Sequence, residues 1–298
     1  MAEITAQMVK ALRDRTGAGM MECKKALEAA GGDIEKGIEE LRKRGVASAA
    51  KKTGRSAKQG AIVIKLSDDK TCGVIVEFNC ESDFVARTDD FQGLVADLAE
   101  QALASAAVTT PTELLKEAYA KDPSITIEAL ITAKVAKIGE NMKLARLEKV
   151  CGGVLGAYIH PGAQLGVLIQ ATGITSSTDE IQELVRDVAM QIAAADPQFI
   201  ARTEVTAADV EKEKEIQRER AIREGKPPAI VEKMLEGRMS KYYEEVCLLE
   251  QPFIKENSLT VGQMVEQSNK KMGVALTIAK FVRFKVGETA GPDAPEAE

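Results

Sequence analysis

The apolar positions of this chain repeat. From Gly60, two short apolar runs, AIVIKL and VIVEF, flank the polar turn SDDKTC, with Gly60 and Gly73 thirteen positions apart. From Gly153, VLGAYI and VLIQA flank HPGAQL, and Gly153 and Gly166 are again thirteen apart. Short apolar runs divided by turn residues predict β-hairpins, and the equal spacing marks an internal repeat. Each hairpin is followed by an amphipathic helical pattern, FQGLVADLAEQA from Phe91 and IQELVRDVAMQI from Ile181, with Gln, Leu, Val, Asp, Ala and Gln at equivalent places. The predicted core is therefore two related α+β units.

The copies differ between strand and helix. Gly73 to Phe91 is 18 positions and Gly166 to Ile181 is 15, so the first copy carries three extra residues there. The lengthened segment, NCESDFVARTDD, sets Phe84 among Glu81, Ser82, Asp83 and Arg87. Insertions of this kind run over the surface and carry function. Turned inward, Phe84 would secure the loop. Turned outward, it offers a ring worth about 1.5 to 3 kcal/mol when buried in a partner, and the flanking charges favour outward. Asp83 is either a loop-capping carboxylate or a group offered to that partner.

Ahead of the repeats, apolar spacing predicts three short helices, Ile4 to Arg15, Met20 to Ala30 and Asp33 to Arg44, broken at Gly17, Gly19, Gly31 and Gly32. Met20, Met21 and Cys23 are core residues or a soft docking surface. The segment from Val46 to Gly60 is small, polar and basic, as expected of a linker, and its Lys51 and Lys52 are too few to track a phosphate backbone. Between the copies, Pro111 to Asp122 and Thr126 to Lys137 read as helices and Met142 to Val150 as a strand. After the second copy come two highly charged helices, Ala207 to Glu224 and Pro228 to Val246, joined by Gly225-Lys226-Pro227. The first has only a narrow apolar stripe, Val210, Ile216 and Ala221, which fits a protruding antiparallel hairpin. The second, with Ile230, Met234, Leu235 and Tyr242, could also pair with another copy of the chain. A helix from Thr260 to Lys271, a strand from Ala275 and an acidic, disordered tail complete the reading.

Composition narrows the function. Forty basic against 46 acidic residues give a net charge of −6, which does not suggest nucleic acid or a membrane as a direct partner. The first residues lack the basic start and apolar core of a signal peptide, and no run approaches the ~20 apolar residues that span a bilayer, so a cytoplasmic location is expected. Five cysteines without any C-x-x-C fit reduced thiols rather than a disulfide or zinc site. There is a single histidine, His160, in the turn IHPGAQ, with no nucleophile nominated beside it. It reads as a turn or interface histidine rather than a base. No P-loop is present, no metal or cofactor is implied, and a binding protein is favoured over an enzyme.

LRDRTGAGMMECKKAL (Leu12 to Leu27), NCESDFVA (Asn79 to Ala86), VAKIGENM (Val135 to Met142), VLGAYIHPGAQLGVL (Val154 to Leu168) and EGRMSKYYEEVCLLEQPFI (Glu236 to Ile254) together resemble bacterial translation elongation factor Ts, over nearly the whole chain. The resemblance implies an α+β protein with an N-terminal ubiquitin-associated-like helical module, two repeated core subdomains and an inserted coiled-coil hairpin. Boundaries follow at 1–55 for the module and linker, 56–151 for the first subdomain, 152–197 with 247–287 for the second, 198–246 for the hairpin and 288–298 for the tail. It implies a guanine nucleotide exchange factor for elongation factor Tu, bound in its GDP and nucleotide-free forms, and no catalytic chemistry. Ser82, Asp83, Phe84 and Val85 fall on the family's insertion loop, which dislodges Mg²⁺ from the partner. Lys24, Lys52, Ile138, His160 and Ile254 fall on further contact positions. The family pattern has Thr where this chain has Ser82, which keeps the hydroxyl, and some members carry a C-terminal helix that GPDAPEAE does not suit.

Two rivals remain on residues alone. The helical start could bind a ubiquitin-like or other folded partner, and carboxylates with lysines could run an enzyme.

Overall fold

The computed structural model describes residues 4–174, 176–225 and 227–289. Three helices come first, α1 (Ala6–Thr16), α2 (Met20–Ala29) and α3 (Ile34–Ala50). Thr5 and Asp33 cap α1 and α3 with their side-chain oxygens, as short polar residues do at helix starts. Val9, Leu12, Cys23, Ala26 and Leu27 form a small core among them. Helix α3 outruns its expected end at Arg44 by six residues, so the first third of the expected linker is helical. Its alanines favour helix, and Ala49 joins the core of the sheet that follows.

The chain continues as β1 (Gln59–Leu66), β2 (Cys72–Cys80), a one-turn helix α4 (Asp83–Ala86), α5 (Asp89–Ala104), α6 (Pro111–Lys116), a ribbon of β3 (Ala118–Tyr119) and β4 (Asp122–Thr126), α7 (Ile127–Ile138) and β5 (Met142–Cys151). It then runs β6 (Val154–Ile159), β7 (Leu165–Thr172), α8 (Asp179–Ala195), α9 (Ala207–Arg223), α10 (Pro228–Val246), a ribbon of β8 (Pro252–Phe253) and β9 (Glu256–Thr260), α11 (Val261–Met272) and β10 (Thr277–Lys285). Two antiparallel three-stranded sheets result, ordered β1-β2-β5 and β10-β7-β6. The correspondence extends beyond the hairpins. In both halves a ribbon leads into a helix capped by threonine, Thr126 or Thr260, and ended thirteen positions later by a left-handed glycine, Gly139 or Gly273.

The expected helix from Pro111 to Asp122 is wrong in its second half. A capping box of Thr110 and Glu113 starts α6. Glu117, which ends it, turns its carboxylate to the Gln101 and Ser105 side chains at the end of α5.

Helix α5 covers one face of the first sheet through Phe91, Leu94, Val95 and Leu98, and α8 covers the second sheet likewise. The opposite faces meet each other through Ile62, Ile75, Val150, Leu155, Leu168 and Phe284. The order of layers is helix, sheet, sheet, helix. Strand β2 is buried on both faces, with Val74, Val76 and Phe78 toward α5 and Ile75 toward the second sheet, which is why Val74 to Val76 is a continuous apolar run rather than an alternation.

Cys72 lies directly opposite Cys151 in the β2–β5 ladder, and the two form a disulfide. This corrects the expectation of five reduced thiols: cysteines 79 positions apart meet because the antiparallel register puts them side by side. Cys23, Cys80 and Cys247 are free and buried. In the α9–α10 pair, Ala221, Val231 and Leu235 pack together. Ile216, expected in the buried stripe, is half exposed. Tyr242 packs at the base of the pair with Val246 and Cys247. The tail expected to be disordered begins with an ordered residue, since Glu288 pairs with Arg146; residues 290–298 lie outside the described residues. No helix among the described residues is long and apolar enough to cross a membrane.

Candidate functional site

The lengthened segment between β2 and α5 is not an open loop. Ser82 caps α4 by accepting a hydrogen bond from the Val85 N–H at 3.3 Å, and Thr88 caps α5 two residues after α4 ends. Between the caps, Ala86 is buried and Val85 packs against the core of the first sheet, which leaves Phe84 pointing outward. The residue is 83% exposed. Asp83 and Arg87 form an exposed ion pair beside it at 2.9 Å.

The turn is fastened from several sides. Glu140 accepts two hydrogen bonds from one residue, the Ser82 N–H at 2.9 Å and the Ser82 hydroxyl at 2.6 Å. The Cys80 thiol donates to the Ser82 carbonyl at 3.1 Å. Burial, with the Glu140 charge adding to it, pushes that thiol up to about 12, so it remains a protonated donor. At the other end, Gln92 donates to the Ala86 carbonyl at 2.6 Å and Thr88 to that of Val85 at 2.8 Å.

Behind the turn, the Asn141 N–H donates to Glu81 at 2.6 Å, and the nearly buried Asn141 amide donates to the Arg55 carbonyl at 2.8 Å. Lys52 reaches the Val135 carbonyl in α7 at 3.5 Å, and Ile138, the last residue of α7, packs against the first core. Lys52, Ile138 and the Ser82–Val85 turn are thus brought together around Glu140 and Asn141.

An open cleft of about 840 Å³ runs beside α4, with Ser82, Asp83 and Arg87 on one wall and Gly162 and Gln164 on the other. The second wall is the β6–β7 turn, anchored where Gln164 donates to the Gly60 carbonyl at 2.9 Å and the Ile62 N–H to the Ala163 carbonyl at 2.8 Å. His160 stands exposed in that turn, with Nδ1 3.1 Å from the Tyr158 hydroxyl. Its partner is a tyrosine rather than an activated nucleophile, which suits a contact residue. The remaining candidates sit elsewhere. Lys24 is an exposed residue of α2, within 3.9 Å of Glu28. Ile254, 41% exposed in the β8–β9 turn, is held through its N–H by Gln191 at 2.8 Å. Cys23 is core, while Met20 and Met21 are exposed.

Glu140 and Asn141 were not singled out by sequence reasoning, although both lie within VAKIGENM. Their partners are about 60 positions away, and only the left-handed turn at Gly139 hints that the chain changes direction just before them.

The family model described as Elongation factor TS matches residues 81–288, beginning one residue before the cap of α4. The chain belongs to the elongation factor Ts family. It is 47% identical over 292 residues to elongation factor Ts of Prosthecochloris aestuarii, covering 96% of this chain and 100% of that one. It is 45% identical over 287 residues to that of Clostridium novyi, covering 96% and 93%. Elongation factor Ts of Clostridium botulinum (strain Eklund 17B) is 47% identical over the same length. Elongation factor Ts proteins align with the N-terminal helices as well as with the sheets, so membership extends over the whole described fold.

Proposed function

We propose that this chain is a guanine nucleotide exchange factor for elongation factor Tu, and that it speeds GDP release by driving Phe84 into the partner's GTP-binding domain. The observation that carries the reading is a phenylalanine 83% exposed on a turn pinned at both ends. A large apolar ring held in water by its own backbone is an anchor prepared for a pocket, because little conformational entropy remains to be lost on docking.

Exchange requires only differential binding. If the chain binds nucleotide-free elongation factor Tu more tightly than the GDP form, GDP must bind the complex more weakly by the same factor. A thousandfold weakening corresponds to about 4 kcal/mol. One buried ring supplies about 1.5 to 3 kcal/mol, so displaced Mg²⁺ and phosphate contacts in the partner provide the remainder. Asp83 would engage partner side chains next to the ring, exchanging its ion pair with Arg87 for them. His160, across the cleft, and Lys52 and Ile138, behind the turn, would extend the contact, with Lys24 and Ile254 as separate patches. In the same reading the N-terminal helices are a ubiquitin-associated-like module, the two sheets are repeated subdomains and α9–α10 is an inserted hairpin.

The test is release of a fluorescent GDP from elongation factor Tu with and without the protein. Phe84→Ala is expected to slow release about 10- to 100-fold with an unchanged unfolding midpoint. Equal rates for the variant and the parent protein would reject the wedge. Raising free Mg²⁺ is expected to oppose the acceleration, and an acceleration indifferent to Mg²⁺ would remove the metal from the account.

A further inference from the structure

We propose that Glu140 is the positioning residue for Phe84: its carboxylate sets the one-turn helix in the conformation that projects the ring. The inference rests on the reading that Phe84 enters elongation factor Tu. Helix α4 has four residues, far below the length at which a helix holds itself together, so its shape has to be imposed from outside. Among the described residues, the carboxylate that meets its cap is Glu140.

The hydrogen-bond geometry makes this more than a brace. A serine caps a helix by turning a lone pair toward the backbone N–H, and its own proton must then point elsewhere. Here the Ser82 hydroxyl donates to Glu140 at 2.6 Å, which leaves its lone pairs to the Val85 N–H at 3.3 Å. The second carboxylate oxygen takes the Ser82 N–H at 2.9 Å, a donor that no strand partner claims once β2 has ended at Cys80. One side chain therefore fixes both the cap hydroxyl and the backbone leading into it. Glu140 is itself fixed. It follows the left-handed Gly139 that ends α7, and its neighbour Asn141 is tied to Glu81 and to the Arg55 carbonyl. The ring, being exposed, has few contacts of its own to choose its direction, so the cap chooses it. Without Glu140 the competent conformation becomes a fraction of an ensemble, and apparent exchange activity falls by that fraction.

The full-length chain carrying Glu140→Ala, Glu140→Gln, Phe84→Ala or the Glu140→Ala/Phe84→Ala pair is measured in the fluorescent GDP release assay, with amide hydrogen exchange at Val85 as a second readout. Loss of the cap's acceptor is expected to slow release about five- to tenfold and to speed Val85 amide exchange by a similar factor. Both Ser82 groups donate to Glu140, and glutamine keeps an acceptor for only one of them while setting an amide donor against the other. Glu140→Gln is therefore expected to recover release in part, to a rate between those of Glu140→Ala and the parent. In the Phe84→Ala background, Glu140→Ala is expected to add almost nothing, because a residue acting through the ring cannot act once the ring is gone. Equal slowing in both backgrounds would overturn the proposal, as would an unchanged Val85 amide. If Phe84→Ala alone leaves release unchanged, the wedge reading has failed, and the Val85 amide still reports whether Glu140 orders α4. Should Glu140→Ala fail to fold, Ser82→Ala removes the hydroxyl from the other side and must show the same dependence on Phe84.

Discussion

Two glycines at matching places in the hairpins explain why the sheets can meet. A β-carbon on Gly166 would lie 2.7 Å from Ile62 Cγ2 and 3.3 Å from Ile64 Cδ1, and one on Gly73 would lie 2.7 Å from Leu66 Cδ2 and 3.0 Å from Leu155 Cδ1. Gly166 of the second sheet receives Ile62 and Ile64 of the first, and Gly73 of the first receives Leu155 of the second beside Leu66 of its own sheet. Gly166→Ala is therefore expected to destabilise the protein by about 1 to 3 kcal/mol, the cost of overpacking a filled core, read as a lower urea midpoint with an unchanged slope. Gly93, exposed in α5 with nothing within 4 Å of such a β-carbon, is the contrast. Gly93→Ala is expected to raise stability by about 0.5 to 1 kcal/mol through helix propensity. Opposite signs from the same added methyl would establish that packing governs position 166, and a neutral Gly166→Ala would show that the two sheets yield. The partner glycines of the repeat have another cause. Gly60 and Gly153 have positive φ, +147° and +65°, and a β-carbon there would overlap the carbonyls of Phe78 and Ala171. The equal spacing of thirteen was legible in the sequence. The two different reasons for it were not, because each depends on a residue from another strand.

Among elements, the contact between α5 and α7 has a pH signature. Asp90, in the first turn of α5, lies 2.9 Å from Lys134 and 3.0 Å from Lys137 of α7. Their hydrogen bonds, Lys134 first, lower its carboxyl from the ordinary 3.8 to about 2. A carboxyl depressed in the folded state adds stability above its unfolded pKa and loses it as pH falls from about 4 through about 2. Asp90 is half exposed, so its contribution is about 1 kcal/mol or less. Asp90→Asn is expected to lower the unfolding midpoint at pH 6 and to match the parent protein at pH 2; a gap that persists at pH 2 would mean that packing, not charge, joins the helices there. The hairpins and the longer helices were readable because their apolar spacing is local and strong. The stretch 117–126 was not, because at Glu117 the backbone turns extended and α6 ends, while the Glu117 carboxylate meets Gln101 and Ser105 at the end of α5, partners that no local pattern marks. The outward ring of Phe84 could be anticipated from its charged neighbours, whereas the helical turn beneath it could not, being fastened by Glu140 from 58 positions away.

At the scale of the whole molecule, one covalent bond closes the first half of the chain. Cys72 opens β2 and Cys151 ends β5, so the disulfide encloses α4 to α7 and sits just before the Gly152-Gly153 turn that leads into the second sheet. Cross-linking residues 79 positions apart removes unfolded-state entropy worth up to about 4.5 kcal/mol. The oxidised protein is therefore expected to unfold several degrees above the reduced protein, with a Cys72→Ser/Cys151→Ser variant indifferent to reductant. Function is expected to follow a different rule. The disulfide is at the opposite end of β2 from α4, and the eight steps from Cys72 to Cys80 span about 26 Å. The strands between are held by the β1 and β5 ladders on either side and by packing on both faces. Reduction should therefore lower the midpoint while leaving GDP release from elongation factor Tu unchanged. Equal midpoints in the two redox states would remove the disulfide from the account of stability. A release rate that falls on reduction would show that β2 carries strain from one end to the other, and that the turn bearing Phe84 depends on the far edge of its sheet as well as on the cap beside it.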